Sequence, residues 1–303
     1  MVADEEDEYD DDLPPVEEEL PVEEPYDDAD EIADGDEREY EDLGETDARP
    51  KRRPRIQITV LHRDEHFEAI DKPTGLATVS ERWNPHAPTV ISELWRHWRR
   101  EDADVVKPHV VHRLDRGTTG VLLFARHRDA QVALREQFRL RTVQKSYLAL
   151  VQGIPAEPQG LIEVELLPDP RHLGKMRTAR RGGKECRTEY EVIETFRDHA
   201  WVQLRPHQGR THQIRVSLEA IGHPCAIDDL YGSSEPILMS RYKRNYRTGR
   251  GREERPLLGR LPLHAATLEL DHPGTGERMT IEAPLPKDLA STLRQLRKWA
   301  PGR

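Results

Sequence analysis

Cysteine is nearly absent from this chain. Its 303 residues hold two, Cys186 and Cys225, with no C-x-x-C spacing, which excludes a disulfide framework and gives no sign of thiolate metal chemistry. Long apolar runs are missing too. No stretch approaches the roughly 18 uninterrupted apolar residues of a membrane helix, and the N-terminal segment has neither the basic start nor the apolar run of a signal peptide. A membrane protein is therefore not expected, and a cytoplasmic location is. No internal repeat is visible. Cations are missing from one end only: residues 1–48 carry 25 of the 57 Asp and Glu but one of the 46 Lys and Arg, a net of −24. With only isolated Val and Leu, in no period, this acidic tail is expected to be disordered.

What remains is basic. The formal charge of −11 averages opposites, since residues 49–303 hold 45 cations against 32 acids, a net of +13. That is the electrostatic footprint of a phosphate-backbone binder. The tail beside it could cover such a surface in cis or serve solubility alone.

Residues 49–303 suit one α+β domain, a mixed, largely antiparallel central sheet flanked by helices and loops. Alternation predicts a strand at Ile56–Leu61, paired through the turn Arg63-Asp64-Glu65 with a strand at Phe67–Asp71. Val90, Leu94 and Trp98 predict an amphipathic helix from Thr89 to about Glu101. A strand at 121–126 precedes a helix over 129–139, and further strands are expected at 144–152, 161–167, 187–196 and 199–205. A helix capped by the Thr211 hydroxyl should end at Gly222 and Pro224. Strands at 263–270 and 278–283 and a helix from Lys287 to Trp299 follow.

The most informative segment is His112-Arg113-Leu114-Asp115-Arg116-Gly117-Thr118-Thr119-Gly120. It sets one acid among arginines in a Gly-rich turn ahead of the apolar strand Val121-Leu122-Leu123-Phe124. A carboxylate held in such a turn has few rotamers to lose and suits a nucleophile or base, although the same residues also describe an ordinary salt-bridged turn. Two distant clusters are candidates to converge on it. Tyr147, on the strand Gln144–Gly153, faces the same side as Lys145 and Ala149 and on this pattern alone reads as core. Gly209-Arg210-Thr211-His212-Gln213-Ile214-Arg215 opens a helix with cations in its first turn, where exposed backbone amides add positive potential. Arg210 could hold a carboxylate ionised and aimed, or could be a surface cation. The spacing of His109, His112 and Asp115 would suit a metal on a helix, but Gly117, Gly120 and the following strand argue against one, and no metal is expected.

Taken together these segments resemble the RluA family of RNA pseudouridine synthases over about residues 56–298. Asp71-Lys72-Pro73-Thr74-Gly75-Leu76 resembles the family's D/N-K-P-x-G-L segment, and His112–Gly120 its H-R-L-D-x-x-T-S-G signature with Thr119 in place of Ser. Gln144–Gly153 is similar to its K-x-Y-L-A-L-V-x-G strand, Gly209–Arg215 to G-R-T-H-Q-I-R, Gly222-His223-Pro224 to the next turn and Leu263-His264-Ala265 to a late strand.

The resemblance implies the pseudouridine synthase fold and an isomerase that breaks a uridine's N-glycosidic bond, turns the base and rejoins ribose C1′ to uracil C5. Neither redox change nor external energy enters, so no cofactor is implied. Asp115 takes the place of the essential aspartate, Arg210 is expected to pair with it, and Tyr147 to stack on the flipped uracil. Arg113 is expected to fill the gap left in the RNA and Ile214 to wall the base. Arg116, Thr119, Lys145 and Arg215 complete the RNA contacts near the site. The alternative is a non-catalytic RNA-binding or RNA-remodelling protein on the same fold.

The substrate implied is ribosomal RNA or tRNA, met by a monomer in which residues 49–303 form a bare catalytic domain without the S4 domain many relatives carry. Two basic stretches are candidates for RNA contact: Arg171–Arg187, with Arg177, Arg180 and Arg181, and Arg241–Arg260, with Arg244 and the interleaved Tyr242 and Tyr246. Two positions depart from the family pattern. Ala226-Ile227-Asp228-Asp229 replaces a V-G-D-x run, a change expected to leave the chemistry untouched, and Ser217 stands where histidine is frequent.

Overall fold

The structure, a computed structural model, describes residues 56, 58–80, 87–248 and 253–302. The acidic segment 1–48 lies outside the described residues. The first half supplies β1 (Thr59–Arg63), β2 (Phe67–Lys72), α1 (Val90–Glu101), β3 (His109–Val110), β4 (Thr119–Ala125) and α2 (Arg128–Arg139). Then come β5 (Gln144–Gln152), β6 (Gln159–Pro168), β7 (Met176–Ala179), β8 (Lys184–Thr195), β9 (His199–Pro206) and α3 (Gln213–Ala220). β10 (Leu263–Asp271), β11 (Arg278–Glu282) and α4 (Lys287–Trp299) complete the fold.

All strands join one 11-stranded sheet in the order β1-β2-β4-β10-β5-β9-β8-β6-β7, with β3 beside β4 and β11 beside β10. Every pairing is antiparallel except that of β4 with β10, where His264 lies opposite Thr119 and Ala265 opposite Gly120. This is the α+β architecture expected. At the parallel seam the backbones approach so closely that a Cβ on residue 120 would lie 2.1 Å from the Ala265 carbonyl oxygen, and Gly120 also has φ +112°. Only glycine satisfies both conditions.

Helices cover both faces of the sheet, which explains the apolar runs. In β4, Val121, Leu123 and Ala125 pack with Ala130 and Leu134 of α2, while Leu122 and Phe124 pack with Leu94 and Trp98 of α1. In β5, Leu148 and Leu150 meet Leu293 and Leu296 of α4, whereas Ala149 and Val151 meet Ile214 and Leu218 of α3. Tyr147 packs against both the α1 and α3 clusters and so stands where they meet. Truncating a fully buried leucine such as Leu94 or Leu134 would cost about 2–5 kcal/mol.

Thr89 caps α1 as expected, in a reciprocal capping box with Ser92. Thr211 does not cap α3. That helix starts two residues later, after His212, whose backbone is left-handed (φ 54°) and whose side chain makes no capping bond. β1 begins at Thr59 rather than residue 56, and β7 forms inside the basic stretch where no strand was expected. Both cysteines are buried and unbonded to each other.

Candidate active site

Two sequence motifs far apart in the chain interlock. Lys72, at the end of β2, is fully buried, and its Nζ donates to the carbonyls of Pro73 (3.0 Å), Arg116 (3.1 Å) and Thr118 (2.7 Å). The Gly75 amide donates to the Arg116 carbonyl at 2.8 Å, Thr74 Oγ1 to that of Gly117 at 3.1 Å and Thr78 Oγ1 to that of Leu114 at 3.0 Å. The segment 72–78 thereby clamps the loop that carries Asp115, whose own carbonyl accepts from the Thr118 amide at 3.1 Å. Burial pulls the Lys72 ammonium down to about 7, and the neighbouring charge of Asp115 opposes that fall.

Asp115, Tyr147 and the loop from β9 to α3 line one cavity of about 150 Å³, together with Arg210, His212, Ile214 and Arg215. A cavity of about 150 Å³ admits a single six-membered ring in other proteins. The ion-pair partners of Asp115 among the described residues are Arg215, with Nη1 3.4 Å from Oδ2, and His212, with Nε2 3.9 Å from Oδ2. Arg210, expected to pair with Asp115, lines the same cavity from the loop, and the guanidinium seen beside Asp115 is that of Arg215. Arg215 lies in the first turn of α3 and is buried there.

Arg215 is itself fixed from behind. Its Nε and Nη2 donate to Asp228 Oδ2 and Oδ1 at 2.8 and 2.7 Å, a bidentate pair with a fully buried carboxylate. Burial opposes the guanidinium charge, but the hydrogen bonds and charge of Asp228, then the charge of Asp115, outweigh it and raise the Arg215 pKa above its ordinary value. Arg215 was expected on the RNA and is buried instead. The Ala226–Asp229 departure, expected to leave the chemistry untouched, lies in the segment that supplies Asp228 and so adjoins the site.

Tyr147 is half-buried, and burial, then the charge of Asp115, pushes its phenol well above the ordinary range. Ile214 is buried at the cavity wall. Lys145 lines the cavity too, its Nζ donating to the Gln208 carbonyl at 2.7 Å and so bracing the 207–212 loop. Thr119, expected to contact RNA, is buried with Oγ1 2.9 Å from His264 Nδ1, which removes it from the surface. His112 is structural, as its Nε2 accepts from the Leu123 amide at 3.1 Å and its ring stacks on Phe138; burial lowers it to about 3.

The remaining basic candidates are distributed over the outside. Arg113, Arg116, Arg177, Arg180, Arg181 and Arg244 are all exposed. Tyr242, expected among the RNA contacts, is buried in the α4 cluster with its hydroxyl 3.3 Å from His199 Nδ1. Residues 249–252 of that stretch lie outside the described residues. Among the described residues the side chains close enough to share a metal ion are His62, Asp64 and His272, at the far end of β1 and β10, and not His109, His112 and Asp115.

A carboxylate, a guanidinium and a tyrosine around a ring-sized cavity on this mixed sheet suit an RNA pseudouridylate synthase, and residues 66–220 match the sequence profile of that family. The chain is 37% identical over 244 residues to the ribosomal large subunit pseudouridine synthase D of Nitrosomonas europaea, covering 80% of this chain and 66% of that protein. It is 35% identical over 228 residues to the dual-specificity RNA pseudouridine synthase RluA of Escherichia coli K12, covering 75% of this chain and 93% of that one. The structure of human RNA pseudouridylate synthase domain containing 4 superposes with a TM-score of 0.61 at 25% identity, covering 79% of this chain and 93% of that one. The chain belongs to the RluA family and is an RNA pseudouridine synthase. No helix among the described residues is long and apolar enough to cross a membrane.

Proposed function

We propose that the chain isomerises specific uridines in structured ribosomal RNA or tRNA, with Asp115 as the essential catalytic carboxylate. The observation that carries this reading is the placement of Asp115 on the wall of a ring-sized cavity, shared with Tyr147 and beside a guanidinium anchored from behind.

In the reaction the C1′–N1 bond breaks, the uracil turns, and a C1′–C5 bond forms while C5 loses a proton and N1 gains one. Whether the carboxylate adds to C1′, adds to the ring or removes the 2′ proton, it must be ionised next to the glycosidic bond. Arg215 sets a positive charge 3.4 Å from the carboxylate. Tyr147 offers a ring face to the extruded base and Ile214 an apolar wall, with Arg210 lining the same cavity. Arg113 and Arg116 flank Asp115, where they meet the phosphates and the gap left by the nucleotide. Arg177, Arg180, Arg181 and Arg244 extend the positive surface along the RNA. Residues 49–303 act as a single catalytic domain in a monomer.

The test is pseudouridine mapping on total ribosomal RNA and tRNA from a strain lacking the gene, incubated with wild type and with Asp115→Asn. A site restored by wild type alone is expected. A site restored equally by Asp115→Asn would overturn the assignment.

A further inference from the structure

Two titratable groups beside Asp115 have no part in the reaction as described. Tyr231 Oη accepts a hydrogen bond from the Met176 amide at 2.8 Å and lies 2.9 Å from His212 Nδ1. These are its hydrogen-bond partners among the described residues. An amide N–H can only donate, so it occupies a lone pair of the phenol oxygen, and the phenol proton is left for the imidazole. With the phenol donating, His212 Nδ1 presents a lone pair and the proton of the neutral ring sits on Nε2. Nε2 is the nitrogen that faces Asp115, 3.9 Å from Oδ2. Catalytic hydrogen bonds are often this long before substrate arrives and tighten afterwards.

The surroundings hold both groups in those states. Burial pushes the Tyr231 phenol well above its ordinary range, so it keeps its proton. Burial pulls the His212 imidazole below its ordinary value, against the charge of Asp115; Arg215, Asp228 and Arg113 are the other charges that face it. The Tyr231 ring is fixed between cations, with the Arg215 guanidinium 5.0 Å and the Lys175 ammonium 5.2 Å from its centroid. His212 stands in left-handed backbone (φ 54°), a conformation that non-glycine residues keep only where their neighbours impose it.

We infer that Tyr231 and His212 are positioning residues, a hydrogen-bonded chain from the Met176 amide that presents a neutral Nε2–H to Asp115. Because Met176 opens β7 between Lys175 and Arg177, the aim of the carboxylate is tied to the seating of the basic β6–β7 hairpin. The inference rests on Asp115 being the catalytic carboxylate, and the direct test does not use activity.

In 15N-labelled full-length protein, long-range proton–nitrogen correlation of the imidazoles reads the tautomer. His212 is expected as the Nε2–H form throughout about pH 6 to 8, and Tyr231→Phe should abolish that preference. A wild-type His212 found as the Nδ1–H form, or doubly protonated, overturns the inference without any variant having to fold. In single-turnover assays, Tyr231→Phe and His212→Asn should lower kcat about tenfold or more with KM for RNA unchanged, as for outer partners of a reactive group. His212→Gln, which keeps an N–H near the Nε2 position, should recover most of that loss. Equal impairment in the Gln and Asn variants would reduce His212 to a plain structural role and also overturn it. Failure of the Asp115 assignment is separate: Asp115→Asn would then stay active whatever the tautomer.

Discussion

Asp64 and Asp115 are two carboxylates of nearly the same side-chain exposure, 24% and 26%, each beside histidine. They differ in what fills their lone pairs. Asp64 Oδ1 accepts the amides of His66 and Phe67 at 2.7 and 2.9 Å, and Oδ2 faces His62 Nε2 and His272 Nε2 at 2.6 and 2.9 Å. Although burial opposes its charge, the hydrogen bonds from His62, the Phe67 amide, His272 and the His66 amide bring its pKa well below the usual carboxylate range. Asp64 is a strut joining the β1–β2 turn to the β10–β11 turn. Asp115 instead meets side chains at 3.4 and 3.9 Å and a cavity. Exposure does not separate the structural acid from the one proposed to react; the supply of short donors does.

The largest loss of stability is expected from Arg215→Gln, which strips a buried carboxylate, Asp228, of its partner and should cost about 3–5 kcal/mol in urea unfolding as well as most activity. Arg215→Lys keeps the charge but loses the bidentate fork, so an intermediate loss is expected. Lys72→Met removes the donor shared by three carbonyls of the Asp115 clamp and should cost about 2–4 kcal/mol, with a lower kcat.

Asp64→Asn should cost about 1–3 kcal/mol at neutral pH and leave kcat unchanged. Because the folded pKa of Asp64 is depressed, its stabilisation is present above the unfolded value near pH 4 and is lost as pH falls toward the folded one. The variant should therefore show a shallower acid limb of stability. The smallest effect is expected from zinc. His272 Nδ1 accepts the amides of Gly274 and Thr275 at 3.1 and 3.0 Å, which leaves its proton on Nε2, the atom a metal would need. Added zinc should leave the thermal midpoint unchanged, and a rise would show that this His-Asp-His group is a metal site after all.

Much of this architecture was legible in sequence because local pattern and burial coincide. The bounds of β5 and α4 match the strand and helix expected, and Thr89 announced α1. β3 was not legible, since a strand of two residues carries no period. Nor was the parallel pairing of β4 with β10, because it joins residues far apart in sequence and leaves only Gly120 as a trace. In the site, Asp115 and Tyr147 stood in motifs that could be quoted. The contact of Arg215 with Asp115 was not read, and a left-handed His212 hides where α3 begins. Lys72 read as part of a turn motif, and its grip on the Asp115 loop follows from the sheet pairing of β2 with β4.

The central claim is that Asp115 does the chemistry while an equally exposed carboxylate elsewhere does not. The most direct measurement is single-turnover pseudouridine formation by wild type, Asp115→Asn and Asp64→Asn, on the RNA that mapping identifies. The account predicts a loss of at least about a thousandfold for Asp115→Asn and wild-type turnover for folded Asp64→Asn. Turnover by Asp115→Asn within a few-fold of wild type would contradict it.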